Sequence, residues 1–431
     1  VYKGAASYLC WSSEMMMNAA RSLALALAVI DGVSGFIPQA RHGRAARAAS
    51  TFEGTREPLR PGSRTHLAAT VAPKATNEAP AVGSADLPWT ELGFEFRDTK
   101  SHLKFTWREG QGWDEGELVE GAPYINIHIA ATGLHYGQSC FEGLKAFARK
   151  DGSVALFRPE ENAKRMASSG ARTMMPFLDS DTFVQACARV TRDNMAYVPP
   201  YGSGGALYLR PLLFGSGPRI GLQPAAEYTL LFMVMPVGDY YKGGLSKPVN
   251  AVVVEGYDRA APQGVGNVKV AGNYAADLLP NQLNKKAGFP ISLYLDAKTQ
   301  TNVEEFSTSN FYGVKLGAGP KGEDLYVTPN SPAVLPSITN KSLMQLAESL
   351  GMKVERREIP LSEVSEFDEV AACGTAVVLT PVGSVQSSQF GEVTIGEKGG
   401  GVGPVTKRLF DGIRAIQQGE AEDAFGWTVQ V

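Results

Sequence analysis

From residue 87 onward the spacing of apolar residues changes period several times, and each change predicts an element. The run FEFRDTKSHLKFTWREGQGWDEGELV alternates apolar and polar positions, as antiparallel strands do. LKAFARKDGSVALF places Asp151-Gly152 between two apolar runs, a hairpin signal. RPEENAKRMASSGARTMM opens with proline and acids and then repeats apolar residues at helical spacing, and DTFVQACARVTRDNMAYV is a second amphipathic helix. ALYLRPLLFGSG and EYTLLFMVMPVG are apolar enough for central strands. GDYYKGGLSKP interrupts this pattern with glycines and a proline, so a junction is expected over 237–248.

Beyond the junction, VNAVVVEGYDRA reads as a strand, AADLLPNQLNKKAGF as a helix closed by Gly288, and ISLYLDAKTQTNVEEFSTSNFYGVK as two strands around a polar turn. Pro280 sits awkwardly inside that helix, because proline removes an intrahelical bond at a cost of about 3 kcal/mol. KSLMQLAESLGMKVERREIP predicts a helix running into a strand, and AACGTAVVLTPVGSV a buried run. Hairpins mixed with short helices are no regular βαβ alternation. The expectation is α+β, with two domains over 86–236 and 249–431.

The chain has 431 residues, 44% hydrophobic and 20% charged, which is ordinary for a globular protein with two domains. A net charge of -3 leaves no basic surplus for neutralising phosphates, so nucleic acid is not an expected partner. The four cysteines lack CxxC spacing and the five histidines form no HExxH, so neither a disulfide framework nor a metal is expected, and a reducing compartment is.

Residues 1–85 differ in kind. No methionine precedes Met15, and the residues before it are expected to be upstream read-through or an artefact of the assigned start. A short apolar core at Leu23 to Ile30 follows Arg21, with small residues before Phe36, as in a signal peptide. It is far shorter than the ~18 residues that span a bilayer, so no membrane association is expected of the mature chain. Arg41, Arg44, Arg47, Arg56, Arg60 and Arg64 then face only Glu53 and Glu57 in an Ala/Ser/Thr/Pro background, the chemistry of a transit peptide. The pair resembles the bipartite presequences of complex-plastid algae; a mitochondrial presequence or a plain disordered tail is the competing reading.

Two apparent nucleotide motifs fail on spacing. GSGPRIG has one residue too many for GxGxxG, and KGGGVGPVTK lacks the GK[ST] ending of a P-loop, so both read as turns. A better candidate is GNVKVAGNYAADLL. A reactive lysine needs a desolvated setting, an electrophile and orienting acceptors. Val268, Val270 and the glycines around Lys269 supply the first, although one such residue alone reads as a snorkelling lysine. Glu304-Glu305 precede FSTSNFYGV, and strand alternation predicts one acid in the interior and the other in water. Arg165 lies in a helix, while Ser337-Ile338-Thr339 and Gly374-Thr375-Ala376 offer backbone N–H groups of the kind that bind anions.

HYGQSCFEGLKAF, FRPEENAKRM, YLRPLLFGSGPRIG, VKVAGNYAADLL, VEEFSTSNFYGV, LPSITNKSL and GTAVVLTPVGSV occur in an order that resembles the branched-chain amino acid aminotransferases, fold-type-IV pyridoxal-phosphate enzymes. The likeness runs from residue 89 to the closing FGWTVQV. It implies a small N-terminal domain, a larger cofactor-binding C-terminal domain, and a homodimer with the site near the subunit interface. It also implies reversible transfer of an amino group between L-leucine, L-isoleucine or L-valine and 2-oxoglutarate, through a Schiff base of pyridoxal 5′-phosphate on Lys269. By the same resemblance Lys269 moves the proton between Cα and C4′, Glu305 holds the pyridine nitrogen protonated, and Tyr274 bonds the ring hydroxyl oxygen. Arg165, Ile338, Thr339 and Thr375 would hold the phosphate. Tyr136, Phe141 and Tyr208 would wall an aliphatic pocket. The Ala376 amide and the Tyr208 hydroxyl would meet the substrate carboxylate, and Arg210 the distal carboxylate of glutamate.

Two features depart from the family. The CxxC of the mammalian branch is replaced at Val377 and Thr380, and Pro280 lies in a helix that usually has no proline. Within the fold, a D-amino acid transaminase or an aminodeoxychorismate lyase is the alternative; the FEGLKAF and YLRPLLFGSGPRIG segments disfavour both. A catalytically silent protein on the same fold is a third reading, opposed by the joint presence of Lys269, Glu305 and Arg165.

Overall fold

Alternation over 101–108 becomes a strand that buries Leu103 and Phe105, while flanking lysines and arginines stay at the surface. In the computed structural model, which describes residues 81–431 apart from 122, 239–244, 246 and 397–401, this is β1 (Ser101–Arg108). The presequence expected over 1–85 thus lies outside the described residues except for its last five. Two of those are already fixed, with Gly83 and Ala85 N–H donating to the Met195 and Ala196 carbonyls. Most of the expected junction is outside the described residues as well.

β2 (Gly112–Trp113) and β3 (Glu117–Glu120) fold back antiparallel on β1. A one-and-a-half-turn helix, α1 (Thr132–Tyr136), stops at Gly137, whose φ of 61° suits glycine. β4 (Ser139–Phe141) follows, then the expected hairpin of β5 (Leu144–Ala148) and β6 (Val154–Phe157), with Gly152 at φ 85° in its tip. The two predicted helices are α2 (Pro159–Arg172), with proline in its first turn, and α3 (Ser180–Asp193), where the Asp179 carboxylate accepts from the Thr182 N–H. β7 (Ala206–Gly215) and β8 (Glu227–Val237) pair along their length as central strands.

The second half contributes β9 (Val249–Val253), α4 (Gly272–Lys286), β10 (Ile291–Leu295), β11 (Val303–Phe306), β12 (Ser309–Lys315) and β13 (Leu325–Pro329). α5 (Ile338–Ser349), β14 (Lys353–Arg357), β15 (Glu369–Gly374), β16 (Val378–Ser387), β17 (Gly391–Thr394), α6 (Pro404–Gln417) and β18 (Thr428–Gln430) complete it. The expected two strands around a polar turn are three, because Ser307-Thr308 is itself a tight turn between β11 and β12.

Among the described residues the strands form two mixed-connectivity sheets. The first runs β18-β6-β5-β7-β8-β1-β2, with β3 on β1 and β4 on β7, and all its pairs are antiparallel. The second runs β11-β10-β9-β16-β15-β12-β13-β14, and β11 also pairs β12. Six strands therefore close into a ring, from which β13 and β14 branch, and leave an interior packed by Leu293, Phe306, Phe311 and Ala372. The α+β expectation holds.

Closure explains one correction. Glu304 and Glu305 are both buried, at 2% and 4% exposure, although they point to opposite faces of β11. The loop after β13 covers the face that alternation assigned to water, and the Ser331 hydroxyl donates to Glu304 there at 2.6 Å. Pro280 also finds its compensation. α4 runs through it unbroken, and polar side chains on the buried face anchor the helix to β10: Tyr294 donates to Asp277, Asn284 to Ser292 (2.9 Å), and Ser292 to Asn281 (3.0 Å). These bonds stand in for the one that proline forfeits.

KGGGVGPVTK leads into a helix after all. The N-terminus of α6 is occupied by this chain's own carboxylate: Glu369 accepts the Val405 and Thr406 N–H groups at 2.9 and 2.7 Å, and Gly403 leaves room for it where a Cβ would collide, so the helix start holds a buried cap rather than a phosphate.

Candidate active site

The segment before α4 is sewn to β4. Phe141 N–H donates to the Lys269 carbonyl (3.1 Å), Ala271 N–H to the Ser139 carbonyl (3.1 Å), and Lys269 N–H to the Ser169 hydroxyl (2.9 Å). With its main chain fixed at both peptide groups, Lys269 has only its side chain to move. Gly266 makes the tight path possible, because a Cβ there would collide with the Ala333 carbonyl. The Lys269 amine donates to the Tyr274 hydroxyl at 2.8 Å and lies over the rings of Phe141 (4.7 Å) and Tyr274 (5.0 Å). Tyr274, in the first turn of α4, is thus the orienting partner of the amine.

Lys269 opens into a cavity of about 580 Å³, a size suited to a cofactor with a small substrate. Glu305 lines it from β11, and its carboxylate has three donors: Arg259 (2.7 Å), Asn310 (2.7 Å) and the Leu335 N–H (3.3 Å). Burial nevertheless outweighs them and pushes the Glu305 carboxyl up to about 7. A buried acid in that condition accommodates a further cation on its cavity side.

This has a measurable consequence for the cofactor-free protein. Because the folded state holds the Glu305 proton more tightly than the ordinary 4.5, the contribution of this group to stability is full at acid pH and falls as pH rises from 4.5 through about 7. Glu305→Gln is expected to remove that fall, so that denaturation midpoints taken on either side of the window differ less than in the wild type. An unchanged difference would show that Glu305 does not titrate there.

Arg165 reaches the same cavity from α2, at 9% exposure. Its Nε and Nη2 form a fork on Glu142, at 2.8 and 2.7 Å, and Nη1 donates to the Pro336 carbonyl at 3.1 Å. Glu142 is fully buried and also accepts from Asn162 (2.8 Å). This carboxylate keeps Arg165 charged: its attraction raises the guanidinium against the opposing effect of burial. Ile338 and Thr339 are the first two residues of α5, where N–H groups have no partner within the helix, and the Ser337 hydroxyl takes the Asn340 N–H at 3.3 Å. Their side chains line a smaller adjoining pocket together with Gly374 and Thr375, which also line the main cavity.

Phe141, Tyr208, Arg210 and Ala376 complete the wall. Arg210 donates to the Tyr208 hydroxyl from Nε (3.1 Å) and Nη2 (3.0 Å), and its guanidinium stacks over Phe141 at 4.6 Å. Gly143 admits the Tyr208 hydroxyl, which a Cβ would displace. The Ala376 carbonyl accepts from Lys145 (3.1 Å). Of the expected residues, Tyr136 is placed elsewhere. It is 45% exposed at the end of α1, bonded to the Ile220 carbonyl, and does not line the cavity.

Sequence reasoning missed Glu142, Arg259 and Asn310. Glu142 left a signal, as a carboxylate between Phe141 and Gly143 in an apolar run. Arg259 and Asn310 left none, since their partner is reached only through the fold.

The pattern of the "Amino-transferase class IV" family matches residues 139–385, which contain every one of these groups except Tyr136. The chain belongs to this family. It is 44% identical to the branched-chain-amino-acid aminotransferase of Haemophilus influenzae, over 80% of this chain and 99% of that one. It is 41% identical to the chloroplastic branched-chain-amino-acid aminotransferase 5 of Arabidopsis thaliana, over 80% and 81%. Among solved structures it is similar to the branched-chain amino acid aminotransferase of Escherichia coli, with a TM-score of 0.64 and 28% identity over 76% of this chain and 99% of that one. The T.th. branched-chain amino acid aminotransferase solved with pyridoxamine 5′-phosphate gives 0.63 and 25%, over 77% and 99%. Class IV aminotransferases are pyridoxal-phosphate enzymes, and the family match together with these neighbours bears out the fold-type-IV architecture that the sequence suggested.

Proposed function

We propose that this chain is a branched-chain amino acid transaminase, exchanging the amino group of L-leucine, L-isoleucine or L-valine with 2-oxoglutarate, with pyridoxal 5′-phosphate held at Lys269. The observation that carries the reading is one cavity lined by an oriented amine, a buried carboxyl that accommodates another cation, and a buried arginine beside a helix N-terminus. That donor set fits the cofactor's aldehyde, ring nitrogen and phosphate in turn.

Bound there, the cofactor supplies an electron sink for the negative charge left when a proton leaves the substrate Cα. The chain's own residues do the rest. Lys269 takes that proton and returns it, and its pinned main chain keeps the amine within reach. Glu305 supplies the negative partner of a protonated ring nitrogen, and Tyr274 orients both the lysine and the ring. Arg165 and Thr375, with the amides of Ile338 and Thr339, hold the phosphate. Phe141 and Tyr208 exclude water around an aliphatic side chain. The Ala376 N–H and the Tyr208 hydroxyl receive the substrate carboxylate, and Arg210 the distal carboxylate of glutamate.

Purified protein mixed with L-leucine and 2-oxoglutarate is expected to yield glutamate. Turnover of D-alanine or aminodeoxychorismate without L-leucine would overturn the assignment. Arg210→Ala is expected to slow the glutamate half-reaction by about tenfold more than the leucine one, as befits one lost charge-assisted contact. Equal losses in the two half-reactions would remove Arg210 from substrate recognition.

The remaining proposals follow the family. The two sheets support a division into a small domain over 86–236 and a large one over 249–431. A homodimer would give the exposed apolar residues Leu134, Ile220 and Leu222, near Tyr136, a place to be buried. The chloroplastic relative in Arabidopsis supports import into a plastid; a mitochondrion is the alternative.

A further inference from the structure

The loop after β13 is gripped by the side chains assigned to opposite ends of the cofactor. Arg259, which pairs with Glu305, donates to the Ala333 carbonyl. Asn310 donates both to Glu305 (2.7 Å) and to the Leu335 carbonyl (3.0 Å), while the Leu335 N–H returns a bond to Glu305 (3.3 Å). The next carbonyl, that of Pro336, accepts from Arg165 (3.1 Å). Ser337 then caps α5, and Asn340 in its first turn donates to the Asn310 side-chain oxygen (3.3 Å) and to Thr328 (2.9 Å). Asn310 and Asn340 are both buried, which strengthens these bonds.

We propose that residues 333–337 are a spacer that couples the two ends of the cofactor site, with Asn310 as the positioning residue that locks Glu305 to it. The spacer is stiff for local reasons. Prolines stand at 332 and 336, and three of its carbonyls are held by side chains from β12, from α2 and from the segment after β9. A displacement at Glu305 is thereby carried through Leu335 to Pro336, and so to Arg165 and the first turn of α5. Asn310 lines the cavity, and its amide is spent on Glu305 and the loop, through which it acts. The idea rests on the proposed function, since it concerns how this chain holds pyridoxal phosphate.

The test is a double-mutant cycle on cofactor affinity, read by titrating cofactor-free protein with pyridoxal phosphate. Asn310→Ala removes the donor to Glu305 and to the loop. Arg165→Lys keeps a charge for Glu142 but loses the two-pronged fork on it and the Nη1 bond to the Pro336 carbonyl. Each single change is expected to weaken binding by about tenfold, and the double variant to fall short of the product of the two losses by about fivefold or more. Losses that multiply to within about twofold would overturn the coupling. Should the double variant not fold, the Asn310→Ala protein alone decides. The phosphorus-31 resonance of its bound cofactor is expected to shift, although the substitution lies at the Glu305 side, and an unmoved resonance overturns the spacer. Wild-type protein that takes up no pyridoxal phosphate would overturn both this inference and the function beneath it. Uptake by the wild type with multiplicative losses overturns the inference alone.

Discussion

Lys269→Ala is expected to abolish transamination, with a fall on the order of 10³-fold or more, while leaving the fold in place. The size of the effect comes from the number of tasks assigned to one amine: it holds the cofactor and carries the proton at Cα. The intactness of the fold comes from what alanine keeps. The Lys269 N–H would still donate to Ser169 and its carbonyl would still accept from Phe141, so the bridge between β4 and the segment before α4 survives. Among the described residues the one hydrogen bond lost is that to Tyr274, which faces the cavity. Activity and the absorbance band of the Schiff base with Lys269 should therefore vanish together, with an unchanged far-ultraviolet circular dichroism spectrum. A variant that still transaminates would mean that another group does the work.

Glu142→Ala is expected to be the most destabilising single change near the site, costing about 3–5 kcal/mol, the range for removing one partner from a buried ion pair. Arg165 would be left with its charge buried and two of its nitrogens without acceptors, and Asn162 would keep only the Gly143 carbonyl of its two acceptors. Burial limits what water can offer in exchange, since Glu142 has no exposure and Arg165 only 9%. A companion variant separates stability from function. Glu142→Gln with Arg165→Met replaces the pair by neutral groups and should recover most of the loss in urea denaturation, yet bind pyridoxal phosphate poorly for want of the guanidinium. If Glu142→Ala unfolds within about 0.5 kcal/mol of the wild type, the pair is not the structural element described.

These two residues also mark what was legible in the chain. Lys269 could be found because its neighbours in sequence are its neighbours in space: the valines, the glycines and Tyr274 lie within one short segment. The same locality made the β5–β6 hairpin and helices α2 and α3 readable, since turn, cap and period are all local signals. Arg165 was visible as a phosphate-binding arginine but its ion pair was not, because Glu142 lies 23 residues earlier and meets it only once the β4–β5 segment packs against α2. Glu305 was found, whereas the burial of Glu304 was missed. Alternation gives the faces of a strand, but only the closure of the second sheet and the Ser331 loop decide that both faces are covered. Pro280 looked like a defect for a similar reason, as its compensation lies on β10 and in side chains that a helical pattern does not single out.

The first sheet ends on a strand that the ribosome makes long after its partner. β18 pairs with β6, the Val431 N–H donates to the Val154 carbonyl, and the Arg158 N–H donates to the Trp427 carbonyl. About 270 residues of synthesis separate the two strands. At translation rates of about 5–20 residues per second, β6 therefore waits tens of seconds with an open edge after its own emergence. Open edges recruit foreign strands, so the nascent N-terminal half is the stage at which this protein most needs a chaperone.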